Sequence, residues 1–177
     1  MRVRRFTTRR ELEEHHFPWL VLIGVPLVTL LIAAYLPKLV PASALIDLPL
    51  LVVIFFSLSQ RSAIGGTFMG AFVGLLQDTL SNQYIGVNGV AKTLVGFAAS
   101  SVGLKVDVEN SLTRALLVFG LSMAQSAMLF VLERVMLGVQ EYSGRWGHEV
   151  LRAGLNTAVA IPLFFVLDRL RTDETGL

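Results

Sequence analysis

Apolar residues run along this chain in long blocks, broken by short polar stretches. Six blocks are long and continuous enough to read as membrane helices, over residues 19–36, 44–58, 62–78, 87–104, 112–137 and 150–167. The breaks between them carry Pro37, Lys38 and Pro41, then Arg61, then Asn82 and Asn88, then KVDVENSLTR and QEYSGRWGHE. Trp19 and Tyr35 sit at the two ends of the first block, where interfacial aromatics belong. Pro26 lies inside it, and a membrane helix tolerates proline as a kink. The third and fourth blocks have a second periodicity: Gly66, Gly70 and Gly74 recur every four residues, and Gly89, Gly96 and Gly103 every seven. Such seams let helix backbones approach closely, which is how helices pack where no hydrophobic drive exists between them.

Composition agrees with the pattern. Of 177 residues 54% are hydrophobic and only 16% charged, against about a quarter charged in soluble domains. At about 25 to 30 residues per helix and loop, six helices use the length and leave none for a separate soluble domain. The expected organisation is a basic arm over 1–18, a six-helix membrane domain over 19–167 and a short tail over 168–177. A basic start before an apolar run also opens a signal peptide, but here the run is of spanning length and lacks a small-residue cleavage site. A net charge of +2 gives no case for nucleic-acid binding.

Charge sets the orientation. With the N-terminus in the cytoplasm, the inner side holds Arg2, Arg4, Arg5, Arg9, Arg10, Arg61, Lys105, Arg114, Arg169 and Arg171, and the outer loops hold Lys38 and Arg145. Both termini are then cytoplasmic, which requires an even number of spans.

Orientation gathers the charges within the blocks. Asp47, Asp78, Lys92, Glu133, Arg134, Arg152 and Asn156 all fall in the outer half, from five helices. On a helical projection Lys92 shares a face with Gly89, Gly96, Ala99 and Gly103, so it points into a helix interface rather than lipid. On the fifth block Ser122, Gln125, Ser126 and Glu133 share a face. An ion inside a membrane is costly and is usually paired, so Lys92 is expected to pair with Asp78 or Glu133. The cluster is read either as a partner site or as a device that fixes helix register. Asp47 also reads as a helix cap ahead of Pro49, and Glu133 and Arg134 as side chains that snorkel to water.

Catalytic chemistry has little to stand on. There are no cysteines, His15, His16 and His148 lie outside the apolar blocks, no G-x-S-x-G occurs and the aspartates are single. No catalytic, metal or cofactor site is expected.

The stretch Asp47-Leu48-Pro49-Leu50-Leu51, the glycines 66, 70 and 74, the run Gly74-Leu75-Leu76-Gln77-Asp78, then Leu80, Gly86, Lys92, Leu94 and Gly96, resembles the rod shape-determining protein MreD family of bacteria. The resemblance is best over about residues 45 to 104. It implies a non-enzymatic inner-membrane component of the cell-elongation machinery that binds MreC. RodA with its penicillin-binding transpeptidase, MreB and membrane lipid are the further partners it implies. It also implies a fold like the substrate-binding components of energy-coupling-factor transporters. That likeness gives the alternative reading, a small-solute-binding transporter component whose pocket is the outer polar cluster.

Overall fold

The computed structural model describes residues 17–60, 62–81, 84–106, 108, 110–136 and 146–170. The basic arm up to His16, Arg61, Asn82, the loop over 137–145 and the tail from Arg171 lie outside the described residues. Described residues form six α-helices and no strand. They are α1 (Trp19–Leu39), α2 (Leu48–Gln60), α3 (Ala63–Leu80), α4 (Val87–Gly103), α5 (Ser111–Val131) and α6 (Trp146–Asp168). A short 3-10 turn, Pro41–Leu45, precedes α2, and a π turn, Leu132–Met136, extends α5. Three of these helices, α1, α5 with its extension to Arg134, and α6, are long and apolar enough to cross a membrane.

The shortest helix is the centre. Every residue of α2 from Pro49 to Ser59 is buried, and α1, α3, α4, α5 and α6 all pack on it. Its sequence is apolar on all faces, which suits a helix with neighbours all round. Phe55 and Phe56 meet Phe17 edge-on at ring distances of 5.8 and 5.2 Å, and Phe164 stands 5.1 Å from Phe55. These rings join α1, α2 and α6 in one core.

Helix limits follow local chemistry. α2 begins at Leu48, not near residue 44, because Pro41 seeds the 3-10 turn and the backbone at Ile46 is extended. Asp47 then caps α2: its Oδ1 accepts the Leu50 N–H at 3.1 Å, and Pro49 falls in the first turn, where its missing N–H costs nothing. Ser62 and Asn110 cap α3 and α5 by accepting the N–H of Gly65 at 3.2 Å and of Leu112 at 2.9 Å. α1 runs through Pro37 and ends at Leu39, where the C-cap Val40 donates its N–H to Leu36 O at 2.8 Å. α6 starts at Trp146, four residues ahead of the expected Val150, and places Glu149 at its positive end.

The tightest contact in the bundle is the antiparallel α3–α4 hairpin. A Cβ on Gly66 would strike Gly96 O and Ser100 Oγ; one on Gly70 would strike the Lys92 carbonyl; one on Gly74 would strike Asn88. Three glycines one turn apart thus lie on three successive turns of α4. Gly96 lies reciprocally on Gly66, Gly103 meets the Leu58 backbone of α2, and Gly89 faces the Leu75 side chain.

Candidate functional site

The close approach of α4 to its neighbours determines what Lys92 can reach. Its side chain is wholly buried and passes beside α2 to the helix start, where Nζ donates to Asp47 Oδ2 at 2.7 Å. Gln125 on α5 completes the contact: Nε2 donates to the same Asp47 oxygen at 2.8 Å, and Oε1 accepts from Lys92 Nζ at 3.5 Å. Asn156 on α6 turns its Oδ1 to the Asp47 backbone N–H at 2.9 Å. That N–H precedes α2 and has no helical partner, so the amide satisfies a group that would otherwise be orphaned.

Four segments therefore meet at one residue, Asp47. Asp47, Lys92, Gln125 and Asn156 are 4%, 0%, 3% and 2% exposed, so the group is closed to any molecule outside the bundle. A buried ion pair offsets its desolvation only when its remaining donors and acceptors are also satisfied. Here Oδ1 takes the Leu50 N–H while Oδ2 takes Lys92 and Gln125. The arrangement ties the start of α2 to the middle of α5 and α6.

Asp78 does different work. It is fully buried at the end of α3 and caps the next helix. Its Oδ2 accepts the N–H of Gly86 at 2.8 Å and of Gly89 at 3.2 Å; its Oδ1 accepts the Asn88 N–H at 3.2 Å and the Asn88 side-chain amide at 2.8 Å. The N-cap residue of α4 is Gly86, at φ 101°, a conformation suited to glycine and one that leaves no side chain to cap with. The carboxylate of the preceding helix fills that role and meets the positive end of α4.

A family model for the rod shape-determining protein MreD matches residues 13–171. The chain belongs to the MreD family. No curated protein and no solved structure matches it. The MreD match reaches well past the stretch over 45–104 that carries the resemblance in the sequence, and it spans both the Asp47 network and the Asp78 cap.

Within this MreD fold the expected partners of Lys92 are corrected. Neither Asp78 nor Glu133 is its partner; Asp47 is. Asp78 lies beside the start of α4 and is spent on backbone N–H groups there. Glu133 falls in the π turn, whose wider winding breaks the helical register that would align it with Gln125. Arg134 is exposed and stands 5.4 Å from the Phe130 ring centroid. Arg152 is half-buried within electrostatic reach of Asp47 and Glu133. The seven polar residues grouped by depth thus separate into the Asp47–Lys92–Asn156 network, the Asp78 cap, and a more open set of Glu133, Arg134 and Arg152. Gln125 belongs to the network although it carries no charge; its place on the inward face of α5 beside Ser122 and Ser126 was the available signal. His15 and His16 lie outside the described residues.

Proposed function

We propose that this chain is a multi-pass inner-membrane component of the bacterial elongation machinery, with MreC as its principal partner. The family match over residues 13–171 carries the reading. All six helices cross the membrane in this reading, with both termini in the cytoplasm. The lysine and arginine bias supports that orientation. At 13 residues α2 is about 20 Å long, short of a bilayer core, but protein surrounds it on all sides. Irregular backbone at membrane depth is tolerated in such a setting, and the Asn156 bond to the Asp47 N–H supplies the satisfaction it needs.

Proteins of this kind position others rather than react, and the buried network suits that role. It sets the relation of α2, α4, α5 and α6, while the open outer set of Glu133, Arg134 and Arg152 is what a periplasmic partner can meet. The single transmembrane helix of MreC and the chain leading from it dock at that end. RodA with its penicillin-binding transpeptidase, and MreB on the cytoplasmic side, complete the assembly. The solute-binding alternative puts its pocket at the outer polar cluster, where Asp47, Lys92, Gln125 and Asn156 are bonded to one another.

Copurification tests the proposal. Tagged chain is expected to retain MreC where an unrelated six-span protein does not, and its depletion is expected to turn rods into wide, round cells. Normal rods on depletion, with no MreC retained, would overturn it.

A further inference from the structure

At the opposite end of the bundle from Asp47, α5 and α6 leave a cavity of about 350 Å³. Its apolar wall includes Val118, Ile161 and Phe165, and its polar edge is Ser111, Arg114 and Asp168. Val118 is buried, but Ile161 and Phe165 are 54% and 62% exposed, so the cavity opens sideways, toward lipid, rather than into the core.

Among the described residues the edge carries more positive than negative charge. Arg114 donates to both Asp168 oxygens and to the Val108 carbonyl, which holds the guanidinium in place. Arg169 lies with its guanidinium 4.7 Å from the Phe165 ring centroid, against the same wall. Among the described residues this edge thus brings together two guanidinium groups and one carboxylate. Ser111, the first residue of α5 and so at its positive end, lines the same edge.

We propose that this cavity binds one anionic glycerophospholipid. Its phosphate sits against Arg169, Arg114 and Ser111, and one acyl chain lies along Val118, Ile161 and Phe165. Basic pockets between membrane helices on the cytoplasmic side take such headgroups, and guanidinium groups bind phosphate through paired N–H donors. An apolar floor below a cationic rim matches the two ends of a lipid. A partner helix would leave the rim charge uncompensated unless it brought an acid to that depth. The assignment of the cavity to the cytoplasmic leaflet rests on the orientation proposed above; the binding itself does not.

Native mass spectrometry of the full chain, titrated in detergent with phosphatidylglycerol or phosphatidylcholine, tests the proposal. One phosphatidylglycerol should be retained at least about tenfold more tightly than phosphatidylcholine. Arg169→Gln should remove about tenfold of that affinity; Arg169 is exposed, so the variant keeps its fold. Ala115→Phe, which fills the cavity and leaves the charges, should do the same. Equal retention of the two lipids, indifference to both variants, or displacement by inorganic phosphate alone would each overturn the proposal. So would an Ile161→Cys variant, the sole cysteine in the chain, that cross-links in cells to a protein helix instead of leaving that wall to lipid. Orientation is read separately, by labelling a Ser111→Cys variant with an impermeant maleimide in whole cells and in inverted vesicles. Loss of MreC copurification would sink the functional reading and leave lipid binding untouched.

Discussion

Two helical hairpins in this molecule use small residues in opposite ways. In α3–α4 the glycines are contact points: a Cβ on Gly66, Gly70 or Gly74 has no room against the opposing backbone. In α5–α6, Gly120 and Gly154 have nothing within 4 Å of where a Cβ would stand. The first hairpin closes until backbones touch. The second is held apart by side chains such as Val118 and Phe164 and keeps a cavity at one end. Their ions differ in the same sense. Lys92 and Asp47 are sealed inside the bundle, whereas the Arg114 and Asp168 side chains are 15% and 28% exposed. Where helices have no hydrophobic drive to associate, a glycine means contact only if its face is turned to a neighbour.

The sharpest way to break the comparison is to put one large side chain in each hairpin. Gly70→Leu meets the Lys92 backbone, which cannot turn aside as a side chain could. It should force α3 and α4 apart and pull Lys92 from Asp47, with a loss of more than about 4 kcal/mol. Steric-trap unfolding in micelles would measure it, and failure to purify as a single species is the extreme outcome. The matched Gly120→Leu change should unfold close to wild type. Similar losses in the two would refute the division into closed and open hairpins.

Next in size is Lys92→Met. It leaves Asp47 buried with its charge unbalanced, at a cost of about 3–5 kcal/mol. Removing both charges, as Asp47→Asn with Lys92→Met, should restore most of the loss, because an apolar or neutral pair is often as stable as a buried ion pair. If the double variant folds well but no longer supports rod shape, the pair has a role beyond register. If shape is also restored, register is its whole contribution.

These positions show what could be read from residues alone. The glycine seams were legible because helix periodicity repeats in the sequence, and Lys92 was legible because a charge stands out among apolar residues. Its partner was not. Helical angles on separate helices do not say which helices are neighbours, and Asp47 lies just before α2, where a helical angle does not apply. Asp78 was drawn to Lys92 by depth, yet it ends α3 only a short turn from the start of α4, where Gly86 cannot cap. The shared face of α5 marks Gln125 as inward-facing, but not the carboxylate it meets at the start of another helix. The central place of α2 has a visible cause, an apolar run on every face, but an apolar block reads equally as a span facing lipid and as a helix enclosed by protein.

Asp78→Ala sits lower on the scale, at about 2–3 kcal/mol. It strips the acceptor from three backbone N–H groups at the start of α4. The loss should be local. Hydrogen exchange at Gly86 to Gly89 should quicken while amides near Lys92 stay protected. Uniform deprotection of α4 would mean that the cap and the Asp47 network act as one unit, against the separation drawn between them.

The smallest expected effect is Gly154→Ala. The added methyl meets open space inside a helix, so stability should not fall and should stay within about 1 kcal/mol of wild type. Helical spacing puts Gly154 on the face of α6 that carries Ala158, Ile161 and Phe165, so the change also asks what covers that face in cells. A lipid rearranges around a methyl group, whereas a helix packed on the glycine cannot. Wild-type stability in micelles with normal cell shape would leave the face to lipid. Wild-type stability with rounded cells would mean that a protein helix uses Gly154 as α4 uses Gly70, and the second hairpin would then be open only until its partner arrives.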